Sequence, residues 1–340
     1  DRNPDAVAIV DLCGPAARSR TLTYRELDER ANQVAHRLRA LGVRPELRVG
    51  IFLPRGADLI VALLGVLKAG GVVAVLDPDH PPQRLETLLA DIEAPVLITQ
   101  GTLASALPAT GARLLDLDQG FASEPVSRPV RSARPDGLAY VLYTSGSTGA
   151  PNGALIEHRG LVNSTEAHIR LMEIGPGCRQ LHLLSFNFDA AMAHLFDTLC
   201  AGAALYLAPR NGDFLGRGLV EILARDAITH VSLVPTMLAS MPDTELPALR
   251  TLVVGGEKCS AELVQRWGRT RLMLNLYGPT EASILATAAR CVPDGSAPPI
   301  GRPIPNLQVY VVDRWGRLAP VGVTGELWLG GVGVARGYLN

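Results

Sequence analysis

Two hydrophobic patterns alternate along the chain. In one, apolar residues recur every three or four positions, which is typical of an amphipathic helix; in the other, four to six consecutive residues are mostly apolar, which is typical of a buried strand. The first helix is predicted to be capped by Thr23 of the capping box Thr23-Tyr24-Arg25-Glu26 and to end at Gly42. Its apolar face consists of Leu27, Ala31, Val34, Leu38 and Leu41.

Strands and helices are predicted to follow one another from the first helix onward. The predicted strands are 49–53, 72–76, 96–99, 138–142, 181–185, 204–208, 230–234, 251–254 and 271–276. Helices fit between them, such as one that Pro81-Pro82 opens and that runs through Ile92. This alternation predicts an α/β fold with mainly parallel sheets and helices on both faces.

The pattern changes at two places. Residues 121–137 are rich in Pro, Ser and Arg and have little periodicity, which indicates a connecting segment. Beyond residue 300, the stretches 307–313 and 325–329 resemble hairpin strands of an antiparallel or barrel-like element. We therefore expect a first α/β lobe at 1–136, a second lobe at 137–299 and a barrel-like element at 300–340.

Composition and charge narrow the class of protein. With 340 residues and 47% hydrophobic content the chain can bury one or two cores, and a net charge of −1 indicates neither a nucleic-acid nor a membrane-surface partner. The five cysteines are far apart, which argues against a zinc site or a disulfide framework and favours a reducing compartment. The apolar stretch 59–76 is interrupted by Lys68 and Gly70-Gly71, which favours a core helix and strand over a membrane span. Because no signal-peptide pattern precedes the first strand, we expect a cytoplasmic protein.

The segment Tyr143–Gly153, which reads YTSGSTGAPNG, is the strongest candidate for chemistry. Glycines permit close approach of the backbone to a ligand, and exposed N–H groups and hydroxyls are donors suited to the phosphates of a nucleotide. The segment lacks the Gly-Lys-Ser/Thr of a Walker A loop. An ordinary Ser/Gly surface loop is the alternative, but the apolar strand in front and the Pro-x-Gly behind favour a phosphate loop.

Several segments together resemble the adenylate-forming enzymes, and most closely the amino-acid adenylation domains of nonribosomal peptide synthetases. The segments that carry the resemblance are Leu22–Leu27, Leu67–Gly71 continuing to Leu76-Asp77-Pro78, Leu138–Gly153, Phe188-Asp189, Asn275–Glu281, Gly325-Glu326-Leu327 and Gly333–Leu339. Their order covers the large N-terminal subdomain only; the ribose-binding aspartate and the C-terminal catalytic lysine of the family are absent. The resemblance implies stacked, mainly parallel sheets in an αβαβα arrangement, with the barrel-like element at the C-terminus.

The resemblance also implies a reaction: an amino acid and ATP form an aminoacyl-AMP and pyrophosphate, and the aminoacyl group is loaded onto a carrier-protein phosphopantetheine thiol. Implied catalytic residues are Thr144, Thr280 and Glu281, with Glu281 as the Mg2+ ligand. Implied ATP-binding residues are Thr144, Ser145, Gly146, Ser147, Thr148, Gly149, Gly255, Gly256, Glu257, Asn275, Tyr277, Gly278 and Thr280. Tyr277 would stack on adenine, with a core tyrosine as the alternative. Implied partners are a peptidyl carrier protein, a neighbouring condensation domain and an MbtH-like helper protein.

Asp189 discriminates between substrate classes, because amino-acid-activating members pair this aspartate with the substrate ammonium. The alternative is an aspartate that caps the following helix. Implied pocket residues are Asp189, Ala190, Ala193, Ser232, Val253, Gly255, Leu276, Ile284 and Leu285. Since none but Asp189 is charged, a charged substrate side chain is disfavoured. Ala193 stands where many relatives carry a large aromatic residue, and Gly255 is also small, so we predict an apolar, fairly bulky side chain, with Leu276 and Leu285 narrowing the far end of the pocket.

Two residues depart from the family's pattern. Asn152 occupies the place of a lysine in the phosphate loop, and His194 stands where relatives often have an acidic residue. Asn152 offers a neutral donor to pyrophosphate in place of a charge, which predicts weaker ATP handling. The domain is then either a working enzyme that tolerates the change or a slow or degenerate one. The other functions that we consider are an acyl- or aryl-CoA ligase of the same superfamily and a non-catalytic module that binds nucleotide or carrier protein.

Overall fold

The computed structural model describes residues 3–13, 20–145, 151–209 and 215–339. The strands are β1 (Val7–Asp11), β2 (Arg20–Thr23), β3 (Arg48–Phe52), β4 (Val72–Leu76), β5 (Val96–Thr99), β6 (Arg113–Asp116), β7 (Leu138–Ser145), β8 (Pro151–Glu157), β9 (Arg179–His182), β10 (Ala204–Leu207), β11 (His230–Leu233), β12 (Thr251–Gly255), β13 (Leu272–Tyr277), β14 (Thr287–Arg290), β15 (Arg302–Pro303), β16 (Leu307–Val312), β17 (Glu326–Gly331) and β18 (Tyr338–Leu339). The helices are α1 (Tyr24–Ala40), α2 (Ala57–Ala69), α3 (Pro82–Ile92), α4 (Gly101–Ala104), α5 (His158–Met172), α6 (Asp189–Ala201), α7 (Arg217–Arg225), α8 (Pro235–Ser240) and α9 (Ala261–Trp267).

The chain divides into two compact units. Unit 1 comprises Asp1–His158, Gly175–Gly212 and Arg336–Asn340, and unit 2 comprises Arg159–Ile174 and Asp213–Ala335. The lobe boundaries expected from the sequence, after residues 136 and 299, stay predictions.

Unit 1 contains a sheet of order β18-β8-β7-β4-β3-β5-β6 and a second run of strands, β9-β10-β1-β2. In the first sheet, β7, β4, β3, β5 and β6 are parallel, and β8 is antiparallel to both β7 and β18. Helix α2 packs against β3 and β4 and also contacts β1, and α6 packs against β9 and β10. The predicted α/β class, with mainly parallel strands and flanking helices, is therefore confirmed.

Helix α1 shows how a local sequence signal becomes a packed element. Thr23 accepts a hydrogen bond from the Glu26 N–H, and the Glu26 carboxylate accepts one from the Thr23 N–H, so the predicted capping box is present. The apolar face of α1 packs against α2, where Gly65 permits close approach because a Cβ there would lie 2.5 Å from Val34 Cγ1. Lys68 donates to Asp28 at 2.5 Å and to Asn32 at 2.7 Å on the polar side of the same helix pair.

Unit 2 contains three parallel strands, β11, β12 and β13, extended by the antiparallel strands β14 and β15. An apolar cluster that includes Ala167, Leu285 and Leu307 forms part of its core. The antiparallel element predicted near the C-terminus is the two-stranded hairpin β16–β17, not a closed barrel. In the part of the chain that the structure describes, no helix has both the length and the apolar composition needed to cross a membrane.

Candidate active site

Four predicted pocket residues of unit 2 share one face of neighbouring strands. Ser232 of β11 is paired with Val253 of β12, and Gly255 of β12 is paired with Leu276 of β13. Residues paired across parallel strands, and residues two apart on one strand, point to the same face. The structure therefore brings Ser232, Val253, Gly255 and Leu276 together towards the carboxyl ends of the strands, which is where ligands bind in α/β sheets.

Gly255 has a packing reason to be glycine besides the room it would leave for a substrate. A Cβ at this position would lie 2.8 Å from the carbonyl oxygen of Leu276 on the next strand. Ala or Ser here would therefore move β12 and β13 relative to one another, and the floor of the predicted pocket with them.

A strained turn carries the next predicted residues. Thr280–Ala282 form a short 3-10 helix, after which Ser283 and Ile284 adopt φ values of 55° and 80°. Positive φ is unfavourable for any residue other than glycine, and especially for a β-branched residue. Such conformations persist only where the surrounding structure imposes them, and they cluster at functional sites.

Buried hydrogen bonds impose this turn. Ser164 Oγ donates to the Ser283 carbonyl at 2.6 Å, and Ser283 Oγ donates to the Gly333 carbonyl at 2.6 Å. Both hydroxyl-bearing residues are only 1% exposed. The N–H of Ala335 donates to the Glu281 carbonyl at 2.7 Å, so the segment Gly333–Ala335 supports the turn. Gly278 also approaches the turn closely, since a Cβ there would lie 2.2 Å from the carbonyl oxygen of Ile284.

The remaining predicted residues of unit 2 have distinct environments. Tyr277 is 37% exposed, so the alternative of a core tyrosine is wrong, and its stacking on adenine stays a prediction.

Glu257 accepts from the Thr236 N–H and hydroxyl, each at 3.1 Å, and supports the start of α8. Asn275 Nδ2 donates to the Pro299 carbonyl at 2.8 Å and lies on the opposite face from Leu276. Leu285 is 1% exposed within the apolar cluster, whereas Glu281 is half-buried.

Both ends of the predicted phosphate segment Tyr143–Gly153 belong to strands. Strand β7 extends through Ser145 and β8 begins at Pro151, with Thr144 paired with Asn152. Predicted residues Gly146, Ser147, Thr148 and Gly149 lie outside the described residues, as does the side chain of Ser145. Asn152 therefore stands on a strand directly opposite Thr144, one pair before the last pair of the β7–β8 ladder, Ser145 with Pro151.

Asp189 is the first residue of α6, in unit 1. The N-cap of this helix is Phe188, which makes no side-chain cap bond, and Asp189 lies in the first turn. The pairing of Asp189 with a substrate ammonium and its alternative, a capping role, both stay predictions. Tyr140, which is fully buried on β7, has a pKa held well above its ordinary value by burial and then by the negative charge of Asp189. The phenol next to Asp189 is therefore neutral. Ala190 follows Asp189 on the helix, and Ala193 is 3% exposed.

His194 lies on α6 and belongs to a group of three aromatic side chains with His182 and Phe186. Its ring meets His182 edge to face at 5.7 Å between centroids, and His182 stacks on Phe186 at 4.9 Å. Burial, and then the proximity of His194, lowers the pKa of His182 well below its ordinary value. The lowered pKa favours the neutral form of the His182 ring.

The segment before Asp189 is held by polar residues that were not among the predicted site residues. Ser185 Oγ and Asn187 Nδ2 both donate to Asp77 Oδ2, at 3.0 and 3.1 Å, and Arg55 donates to the Leu183 carbonyl. The predicted strand 181–185 ends early, at His182, because the chain turns towards these partners. The sequence signal that could have indicated this anchoring is the pair of polar residues, Ser185 and Asn187, in an otherwise apolar stretch just before Asp189. For Ser164, in the middle of an amphipathic helix, no sequence signal indicated its hydrogen bond to the turn at Ser283.

Comparison with known proteins identifies the family. The family model described as AMP-binding enzyme matches residues 1–339. The chain belongs to this family. It is 46% identical over its whole length to a linear gramicidin synthase of Brevibacillus parabrevis and 44% identical to phosphinothricin tripeptide synthetase PhsC of Streptomyces viridochromogenes. It spans 4% and 31% of the length of these two relatives.

Solved structures agree with the fold and the family. Crystal structures of the nonribosomal peptide synthetase FmoA3, in AMPPNP-bound and alpha-methyl-L-serine-AMP-bound forms, match with TM-scores of 0.90 and 0.89 at 30% and 31% identity. They match the whole chain, which covers 37% and 39% of theirs. The N-terminal subdomain of Klebsiella oxytoca NpsA matches 99% of the chain with a TM-score of 0.86 at 25% identity, and 86% of that structure is covered. The resemblance to synthetase adenylation domains is confirmed.

Proposed function

We propose that the protein activates an amino acid as aminoacyl-AMP. A substrate carboxylate oxygen bonds to the α-phosphorus of ATP, the bond from that phosphorus to the bridging oxygen breaks, and pyrophosphate leaves. The reaction requires two anions to be held in line. The observation that carries the proposal is the shared strand face of Ser232, Val253, Gly255 and Leu276, within a chain that belongs to the AMP-binding family.

Asp189 and Glu281 have separate roles in this proposal. The Asp189 carboxylate pairs with the substrate ammonium, a charge-assisted hydrogen bond that fixes the direction of the substrate carboxylate. Glu281 supplies a carboxylate oxygen to Mg2+, a donor that suits this ion when phosphates provide further oxygens. In the described residues, no group of three or more His, Cys, Asp or Glu side chains is arranged to hold a metal ion. The bound ion would neutralise charge that develops on the phosphates.

The proposed substrate has an apolar, fairly bulky side chain. Support comes from the residues on the shared strand face, of which only Ser232 is polar and none is charged. A charged substrate side chain would be desolvated without a partner.

We propose that the product is transferred to the phosphopantetheine thiol of a carrier protein in peptide synthesis, with a condensation domain and an MbtH-like protein as further partners.

A binding assay tests the proposal. Thermal unfolding is followed with non-hydrolysable sulfamoyl-adenosine analogues of L-leucine, L-phenylalanine, L-valine and L-lysine, and with fatty-acyl and aryl versions. A ligand at a hundredfold excess over Kd stabilises the native state by about 2.7 kcal/mol. We expect stabilisation by one or two apolar aminoacyl analogues and its loss in Asp189→Ala. Stabilisation by acyl or aryl versions alone would indicate a CoA ligase instead, and preference for lysine would refute the assigned pocket.

Asn152 favours one second candidate, a module that binds nucleotide without turnover. The lost loop lysine removes a charged hydrogen bond, about 1–3 kcal/mol of interaction with the leaving pyrophosphate. The assay uses a longer protein that also carries the family's C-terminal subdomain and its catalytic lysine. If the domain is a working enzyme that tolerates the change, this protein catalyses amino-acid-dependent ATP–pyrophosphate exchange, and Asn152→Lys lowers the KM for ATP. An absence of exchange in both proteins, despite binding of the analogues, would favour the non-catalytic module.

A further inference from the structure

We propose that Asp77 is a positioning residue for amino-acid recognition: it holds the segment Ser185–Asn187 and thereby the position of Asp189. This proposal rests on the proposed function. Asp77 follows β4 directly, within a motif to which the reaction assigns no role. It lies in unit 1 together with Asp189.

The Asp77 carboxylate is the common acceptor of three hydrogen bonds. Oδ2 accepts from Ser185 Oγ at 3.0 Å and from Asn187 Nδ2 at 3.1 Å. Oδ1 accepts from the Asp79 N–H at 3.0 Å, which fixes the carboxylate relative to its own turn. One side chain thus joins the turn after β4 to the segment that enters α6. Hydrogen bonds to an ionised acceptor are stronger than those between neutral groups.

The held segment has little other regular support. It leaves the β-ladder after His182, and its backbone bonds within itself, with the Phe188 N–H donating to the Ser185 carbonyl at 3.0 Å. Only Phe188 separates Asn187 from Asp189, and Phe188, as the N-cap residue, makes no side-chain cap bond. A displacement of Asn187 is therefore passed directly to the first turn of α6, which carries Asp189.

An amide is a poorer replacement for this carboxylate. In Asp77→Asn, an NH2 group must face either the Asp79 N–H or Asn187, so donor meets donor unless the Asn187 amide turns its oxygen towards position 77. In every orientation the negative charge that strengthens the three hydrogen bonds is lost. Exchanging the two residues restores the match, because the new amide at position 77 then donates to a carboxylate at position 187 while its carbonyl accepts from the Asp79 N–H. The net charge of the exchanged pair is unchanged. Asn187 Nδ2 also lies 3.1 Å from His80 Nε2, which can donate to that new carboxylate.

The test uses two ligands that differ only in the substrate amino group. These are 5′-O-(L-leucylsulfamoyl)adenosine and its 4-methylpentanoyl counterpart, which has the same side chain and no ammonium; if the panel prefers another amino acid, the corresponding pair is used. Asp77→Asn should weaken binding of the leucyl ligand about tenfold, the size of one impaired charged hydrogen bond. Binding of the 4-methylpentanoyl ligand should change by no more than about twofold. The double variant Asp77→Asn, Asn187→Asp should recover most of the lost affinity, and Asp79→Asn, a nearby exposed carboxylate, should change neither Kd.

Other outcomes overturn the proposal. Equal loss for both ligands would show that Asp77 supports the fold alone, and no loss for either would show that Asp189 does not depend on it. If Asp77→Asn does not fold, Ser185→Ala replaces it with the same selective pattern expected at a smaller scale. If the wild-type protein binds both ligands of the pair equally well, the ammonium site itself is refuted, and the proposed function fails with this inference.

Discussion

The segment that leads into Asp189 and the turn after Glu281 both position predicted pocket residues, but the chain holds these two regions by opposite means. The first segment is held by hydrogen bonds that its polar side chains donate to the half-buried Asp77. The second is held by buried hydroxyls, backbone hydrogen bonds and close glycine contacts that together enforce positive φ at Ser283 and Ile284. Side-chain support can be altered one residue at a time and responds to charge. A turn that is held in a strained backbone conformation tolerates few substitutions.

The largest expected effect comes from crowding the strained turn. In Gly278→Ala, the new Cβ meets the Ile284 carbonyl oxygen at 2.2 Å and the Ala286 N at 2.8 Å, both backbone atoms. We expect a loss of about 3 kcal/mol of unfolding free energy by chemical denaturation. Gly111→Ala is the control, because nothing lies within 4 Å of its Cβ. A loss below that of the control would mean that the turn yields easily.

Two serine substitutions compare the two kinds of support directly. Ser164→Ala removes a hydroxyl that is 1% exposed and should cost about 1.5 kcal/mol of stability. Ser185→Ala removes a more accessible hydroxyl and should cost about 0.5 kcal/mol, while its main effect is on the leucyl ligand. Equal stability losses, measured by urea denaturation, would remove the proposed contrast.

Residue 284 tests whether the turn is strained. At φ 80° glycine is favoured over alanine, whereas in ordinary strands and helices alanine is favoured. Ile284→Gly should therefore be more stable than Ile284→Ala by about 1 kcal/mol. The reverse order would show that the positive φ is relaxed in solution. The comparison between the two variants cancels the loss of the isoleucine side chain.

The smallest effect concerns pH. Arg336 donates to Glu46 at 2.6 and 3.2 Å, and these hydrogen bonds outweigh the opposing effect of burial, so the pKa of Glu46 lies below its ordinary value of 4.5. A carboxyl with a lowered pKa adds stability above its unfolded pKa and loses it as pH falls through the folded one. Glu46→Gln should thus cost about 0.5 kcal/mol at neutral pH and nothing at low pH.

The cost of Ser164→Ala provides the contrast to this pH dependence, because hydroxyl-to-carbonyl bonds do not titrate. It should stay constant over the same pH range. A Glu46→Gln effect that persists unchanged at low pH would contradict the role assigned to the Glu46 charge.

The sequence predicted well what periodicity and local capping determine. The strands 72–76 and 96–99 and the capping box at Thr23 are found where expected. The path of 183–188 could not be predicted, because it follows long-range partners such as Asp77. The positive φ at Ile284 runs against the preference of isoleucine, so no local signal could indicate it. The hairpin of β7 and β8 extended further into the phosphate segment than its Ser and Gly content suggested.

The alternation of side chains along β11, β12 and β13 has a consequence for how this domain evolves. Ser232, Val253, Gly255 and Leu276 lie on one face, and their immediate neighbours in the chain, such as Leu252 and Val254, point to the other and are buried. A point substitution on the first face alters the candidate pocket and leaves the backbone pairing intact, provided that Gly255 stays small. Insertion or deletion of one residue within a strand would exchange the two faces. New substrate preferences should therefore arise by replacement at fixed positions, and length changes should be confined to the loops.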